Sequence, residues 1–177
     1  MAEKSSPVSA RTIFASPVHW LAFGFGSGLS PQAPGTAGTV AAMPFAWLML
    51  QWPPLWALLF IVLTTLLGIY LCGESAKRLG VHDHGGIVFD EFVGYWISCL
   101  PLMPAFAMWL GVEMPLWVGL LLAFGLFRVF DVVKPWPIRW LDRHVDGGFG
   151  IMVDDLLAGL FAALSLIAVS HVVPFLR

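Results

Sequence analysis

Charged side chains disappear from this chain over long stretches. Runs without Asp, Glu, Lys or Arg cover Leu55–Cys72, Phe92–Gly111, Pro115–Phe127 and Leu156–Val173, and a shorter one covers Thr39–Leu50. The absence of charge, rather than an amphipathic period, is the signal here, because a bilayer core of about 30 Å demands roughly 20 apolar residues as helix. The third run is short unless it extends past Arg128 into Val129 and Phe130. Thr39–Leu50 spans only about 18 Å as helix at 1.5 Å per residue. It is expected to cross partly or to re-enter, turning back at Gln51–Pro54, where two prolines withhold donors that a helix interior needs. The expected fold is all-α: a small polytopic membrane helical bundle with about four to five membrane segments and an interfacial cytoplasmic loop region.

Composition agrees with that pattern. Of 177 residues, 59% are hydrophobic and 11% charged, and the mean hydropathy is +0.84; an average soluble domain is about a quarter charged. No low-complexity linker divides the chain, so residues 1–177 read as one membrane domain with a polar N-terminal tail over 1–18. That tail lacks the apolar core of a secretory signal and is expected to stay on the side where it is made. Cys72 and Cys99 show no metal or disulfide spacing and read as core. The net charge of -2 says little about partners, and no nucleic-acid partner is expected.

Lys and Arg gather in the tail (Lys4, Arg11), after the second run (Lys77, Arg78) and along Arg128, Lys134, Arg139 and Arg143. Five crossings place all of these on one side, the cytoplasm by the positive-inside rule. Trp52, Trp56, Trp109 and Trp117 flank the outer turns and Trp136 and Trp140 the inner loop, as headgroup-level rings do.

The acids lie on the same inner side, Glu113 excepted. An ionised group near hydrocarbon is costly unless paired, hydrated or bound to a cation. Two spans open alike: "FDEFVG" sets Asp90 and Glu91 before Gly94, and "VDDLLAG" sets Asp154 and Asp155 before Gly159. In each, a glycine about one turn inward admits a neighbouring backbone. Complementing a helix dipole is the plain alternative for one such pair. Two pairs, together with "RVFDVVKPWPIR", where Arg128 and Asp131 are three apart and share a face, favour a divalent cation bridged to a phosphate. Hard oxygen ligands favour Mg²⁺ over Zn²⁺. His82, Asp83 and His84 in "VHDHGG" are secondary candidates, as ligands, base or hydrated loop. The glycine-rich "GFGSGLSPQAPGTAGT" (24–39), with Ser27, Thr36 and Thr39, suits anion binding by backbone N–H groups. It lacks GK[ST], so no nucleotide reading follows.

Taken together, "GFGSGLSPQAPGTAGT", "HDHGGIVFDEFVGYWI" and "RVFDVVKPWPIRWLDRHVDGGFGIMVDDLLAG" resemble phosphatidylglycerophosphatase A, a bacterial inner-membrane lipid phosphatase family, from about His19 to Gly159. The resemblance implies Mg²⁺-dependent hydrolysis of phosphatidylglycerophosphate, held in the bilayer, to phosphatidylglycerol and phosphate. It implies a multi-pass protein of the bacterial cell inner membrane whose site faces the cytoplasm. Its motifs fall on Asp90 and Glu91, on Arg128, Asp131, Lys134 and Arg139, on Asp154 and Asp155, and on Ser27 through Thr39, with Thr39 standing where serine is expected. The resemblance does not fix which acid does what; from the residues themselves, Asp90, Asp131, Asp154 and Asp155 are expected to hold one or two Mg²⁺ ions, with Glu91 as ligand or general base. Arg128, Lys134, Arg139 and Arg143 are expected to clamp phosphates. A small membrane transporter and a non-catalytic scaffold are the other classes. Transport would prefer ionisable groups near the midplane, and a scaffold would not need the inner acids. The DG…AR…G…D…D run of CDP-alcohol phosphotransferases is absent.

Overall fold

The structure is a computed structural model that describes residues 8–81 and 84–172. All its regular elements are helical. Ser9 caps α1 (Ala10–Phe14) by accepting from the Arg11 amide, and prolines open α2 (Pro17–Ala22), α3 (Pro34–Met49) and α4 (Pro54–Leu79), where a missing N–H costs nothing. The glycine-rich segment winds into tight 3₁₀ turns over Gly24–Leu29. Next come α5 (Phe89–Cys99), a 3₁₀ turn at Leu100–Leu102 and α6 (Pro104–Leu110). The chain then forms α7 (Leu116–Val133), α8 (Ile138–His144) and α9 (Gly147–Val172).

The chain alternates in direction through α3, α4, the α5–α6 pair, α7 and α9. At one end, His171 Nε2 on α9 lies 3.0 Å from the Leu110 carbonyl that accepts from it. At the other end, the start of α9 presses on α4: a Cβ on Gly148 would stand 1.8 Å from the Ile69 carbonyl oxygen. Three helices, α4, α7 and α9, are long and apolar enough to cross a membrane, and a fourth span forms if α5–α6, bent by 58°, counts as one. The bend falls at Pro101 and Pro104, which cannot donate into a helix ladder. Sixteen residues make α3 about 24 Å long, short of the roughly 30 Å of a bilayer core. The outer faces are apolar: Leu55, Leu66, Leu121 and Val132 are all more than half exposed, as suits contact with lipid.

Helix α5 sits in the middle, buried at every position except Ile97. Trp96 Nε1 donates to the Ala42 carbonyl of α3 at 3.1 Å, and Tyr95 Oη to the Leu120 carbonyl of α7 at 3.1 Å. Against α9 the contact is backbone to backbone. A Cβ on Gly159 would lie 2.2 Å from the Gly94 carbonyl oxygen, and one on Gly94 would lie 2.6 Å from that of Asp155. Small residues at Ala158, Gly159, Ala162 and Ala163 line the buried side of α9, the composition that lets membrane helices approach closely.

Gly159→Ala is therefore expected to lower stability by about 1–3 kcal/mol, the usual range for overpacking. Gly125→Ala, where an added Cβ meets nothing within 4 Å, should be neutral or up to about 1 kcal/mol stabilising through helix propensity. Thermal unfolding of both variants in detergent checks this. Equal midpoints would show that the two helices have room to spare.

Candidate active site

The ends of α5 and α7, the first third of α9 and the start of α3 meet at one end of the bundle. Asp90 and Glu91 lie in the first turn of α5. Asp90 Oδ1 accepts from the Glu91 amide at 2.9 Å, and acids suit this helix start. Asp154 and Asp155 differ: α9 begins at Gly147, so they stand about 10 Å along the helix at 1.5 Å per residue. The dipole explanation therefore does not reach them. All four acids are buried, Asp155 most deeply at 3% exposure, so neither pair turns one member outward.

Two cations knit the acids together. Arg128 Nη1 lies 2.7 Å from Glu91 Oε2 and 2.7 Å from Asp131 Oδ2, the latter across the shared helical face. Glu91 Oε2 also lies 2.7 Å from Thr39 Oγ1, whose single hydroxyl hydrogen it shares with the Gly35 carbonyl at 3.0 Å. Lys134 Nζ lies 2.5 Å from Asp154 Oδ2 and 2.6 Å from Asp142 Oδ1. It caps α7 in the left-handed region at φ 44°, a conformation that costs a non-glycine residue about 1–2 kcal/mol. Pro135 next to it bars the ordinary helical alternative. Burial works against the charge on Lys134, but the carboxylates of Asp154 and Asp142 outweigh it and raise the amine above its ordinary value.

Asp155 lies within electrostatic reach of Asp90, Asp131, Asp154 and Glu91. Five carboxylates thus face two cations, and Lys134 is shared with Asp142. Among the described residues, no three His, Cys, Asp or Glu side chains converge as a ready metal shell. A hard cation that keeps several waters needs only one or two carboxylates. Asp154 Oδ1 is buried without a hydrogen-bond partner, which costs about 1–3 kcal/mol, or more for a charged group. The unbalanced oxygen donors and this bare oxygen fit Mg²⁺.

The remaining sequence candidates sit apart. Ser27 Oγ donates to the Gly24 carbonyl at 2.8 Å, and Thr36 is half-buried on the first turn of α3. Arg139 Nη2 donates to the Val133 carbonyl at 3.1 Å, and Arg143 is exposed one turn further along α8. Neither reaches the carboxylates of α5 or α9 among the described residues. His84 Nδ1 accepts from the Gly86 amide at 3.0 Å, and its buried Nε2 has no partner. His82 and Asp83 lie outside the described residues.

Gly35 and Asp142 also take part in the site. Gly35 leaves room for Glu91: a Cβ there would sit 2.0 Å from Oε1. Asp142 shares Lys134 at 2.6 Å. Only Asp142 carried a usable signal, as an acid eight residues after Lys134 across the Pro-Trp-Pro turn.

Comparison with known proteins follows the same residues. The profile of the family described as Phosphatidylglycerophosphatase A matches residues 20–170. A phosphatidylglycerophosphatase A of Escherichia coli (strain K12) is 46% identical over 92% of this chain and 88% of its own. One of Haemophilus influenzae is 43% identical over 88% of this chain and 90% of its own. A Bacteroides thetaiotaomicron protein with the provisional name phosphatidylinositol-3-phosphatase is 40% identical over 84% of this chain and 89% of its own. No solved structure matches the chain. The profile spans every carboxylate of the cluster together with Arg128 and Lys134, and the relatives match along most of both lengths; the chain belongs to the phosphatidylglycerophosphatase A family.

Proposed function

We propose that this protein hydrolyses the terminal phosphate monoester of phosphatidylglycerophosphate, giving phosphatidylglycerol and inorganic phosphate for phospholipid biosynthesis, with Mg²⁺ as cofactor. The observation that carries this is the cluster of Asp90, Glu91, Asp131, Asp154 and Asp155 from three helices, interleaved with Arg128 and Lys134 at one end of an apolar bundle. Headgroup, water and carboxylates meet at that depth while the acyl chains stay in lipid. Among the described residues every Lys and Arg lies at this end, and the far turns carry only Glu113. By the positive-inside rule this supports an inner-membrane protein with its site facing the cytoplasm.

Asp90, Asp131, Asp154 and Asp155 would hold the cation, Asp154 through its bare Oδ1. Mg²⁺ bound there supplies positive charge to the phosphate oxygens and to the departing glycerol oxygen. Both Arg128 ion pairs use Nη1, which leaves the other edge of the guanidinium to orient the phosphate in a two-point contact. Lys134 meets it from the α9 side. Water attacks phosphorus, an O–P bond forms, and the P–O bond to glycerol breaks. Glu91, aimed by Thr39 and given space by Gly35, takes the proton of the attacking water, and a proton ends on the glycerol oxygen.

The test is phosphate release by purified protein from detergent-dispersed phosphatidylglycerophosphate, with and without EDTA. Release should be fast, should fall roughly 100-fold or more with the chelator, and should return with excess Mg²⁺. No release at all would return the protein to the transporter or scaffold classes, and release indifferent to EDTA would remove the metal. Phosphatidylinositol 3-phosphate belongs in the same assay because of the Bacteroides relative, and a preference for it would replace the substrate named here.

A further inference from the structure

A groove of about 360 Å³ lies beside the carboxylate cluster, lined by Lys134, Trp136, Arg139, Trp140, Arg143 and His144. Lys134 belongs to both sites, since its Nζ holds Asp154 and the residue also lines the groove. Helix α8 is fastened by Ile138, which is fully buried, and it leaves Trp136 82% and Trp140 53% exposed. Rings that bare, at an end where apolar helices leave the bilayer, belong at headgroup depth. Arg139 and Arg143 are four residues apart and so lie on one face of the helix. Arg139 is steadied by the Val133 carbonyl at 3.1 Å. His144 stacks on Trp140 with ring centroids 4.7 Å apart and donates from Nδ1 to the Trp140 carbonyl at 2.7 Å, which stiffens the wall.

The carboxylate cluster and the groove differ in chemistry. The first is rich in anionic oxygens and suits a cation with a phosphate monoester. The second offers guanidinium donors and aromatic faces without a carboxylate in its lining, and suits a phosphate left without a metal. A phosphatidylglycerophosphate headgroup carries both phosphates, a terminal monoester and, across a glycerol bridge, the diester that joins it to diacylglycerol.

Resting on the hydrolysis proposed above, we propose that this groove binds the phosphodiester of the lipid substrate, with Arg143 and Arg139 as its donors, and so selects glycerophospholipid monoesters over soluble ones. The same diester chemistry is present in neighbouring anionic lipids, which the test separates.

The experiment compares phosphatidylglycerophosphate in neutral detergent micelles with glycerol 3-phosphate, a monoester that lacks the diester, for the wild type and Arg143→Gln. Loss of one charge-assisted contact is expected to raise KM for the lipid about tenfold with kcat little changed. The ratio of kcat/KM between lipid and soluble substrate should fall by the same factor. Added dioctanoyl phosphatidylglycerol, which keeps the diester, should inhibit the wild type competitively and the variant more weakly. An unchanged lipid KM, or an equal loss on both substrates, would overturn the proposal. Activation by phosphatidylglycerol would assign the groove to a neighbouring lipid and overturn it too. Should the wild type release no phosphate from either compound, the hydrolysis reading has failed instead. Titration calorimetry with dioctanoyl phosphatidylglycerol then still decides the groove: about tenfold weaker binding in Arg143→Gln upholds it, and equal binding overturns it.

Discussion

Arg128→Gln should lose activity and stability together. The guanidinium holds Glu91 and Asp131 at 2.7 Å each from a single nitrogen, and both ion pairs are largely shielded, with Arg128 19% and Glu91 11% exposed. Removing one partner of a buried pair costs about 3–5 kcal/mol, because the other charge is left without compensation. Here two carboxylates are released at once, beside an Asp155 that already feels four other acids. Turnover should fall roughly 100- to 1,000-fold, the loss typical of deleting one aimed donor at a reacting phosphate or oxyanion. Arg128→Lys keeps the charge but not the planar fork, so it should recover more stability than activity. The measurements are thermal unfolding in detergent and phosphate release from the same preparations. A Gln variant with a wild-type unfolding midpoint would mean that the acids are not held as the geometry indicates.

Asp154→Asn should separate the two properties. The Asp154 carboxylate is buried with Oδ1 unpartnered, and Lys134 retains Asp142 at 2.6 Å when Asp154 loses its charge. Neutralising a crowded, poorly satisfied carboxylate relieves repulsion from its acidic neighbours. The midpoint should therefore stay within about 1 kcal/mol of wild type or rise. Activity should nonetheless drop roughly 1,000-fold, since the same oxygen is the one proposed above as a ligand of the cation. Such an exchange of stability for function marks a working site rather than a structural ion pair. Near-wild-type turnover would end the role given to α9.

The bilayer made much of the architecture readable. Solvent without hydrogen-bonding capacity tolerates few charges, so the long runs in α4, α7 and α9 stand out, as do the acids bordering them. The glycines of "FDEFVG" and "VDDLLAG" also read correctly as points of close approach, because nothing larger fits where α5 crosses α9. Contacts between distant parts of the chain are a different matter. The pairing of Thr39 with Glu91 joins residues 52 apart, which no local pattern encodes. The charge-free run starts only after Asp155, and the glycines at 147, 148 and 150 resemble a loop, so the start of α9 is hidden in the sequence. Instead, Gly148 is fitted against α4, and the helix is already two turns long when the acids appear. Arg139 and Arg143 share one phosphate-clamping role with Arg128 and Lys134 in the sequence reading, whereas α8 presents them to the groove beyond Lys134.

The polar chemistry sits at one tip of the bundle, and the flanks of α4 and α7 are covered with exposed Leu, Val and Trp. A lipid can reach that tip by sliding sideways within its leaflet, with its tails never leaving oil. The quantity that sets the encounter rate is then the crowding of substrate in two dimensions, so molecules per unit of surface replace molecules per litre as the natural concentration.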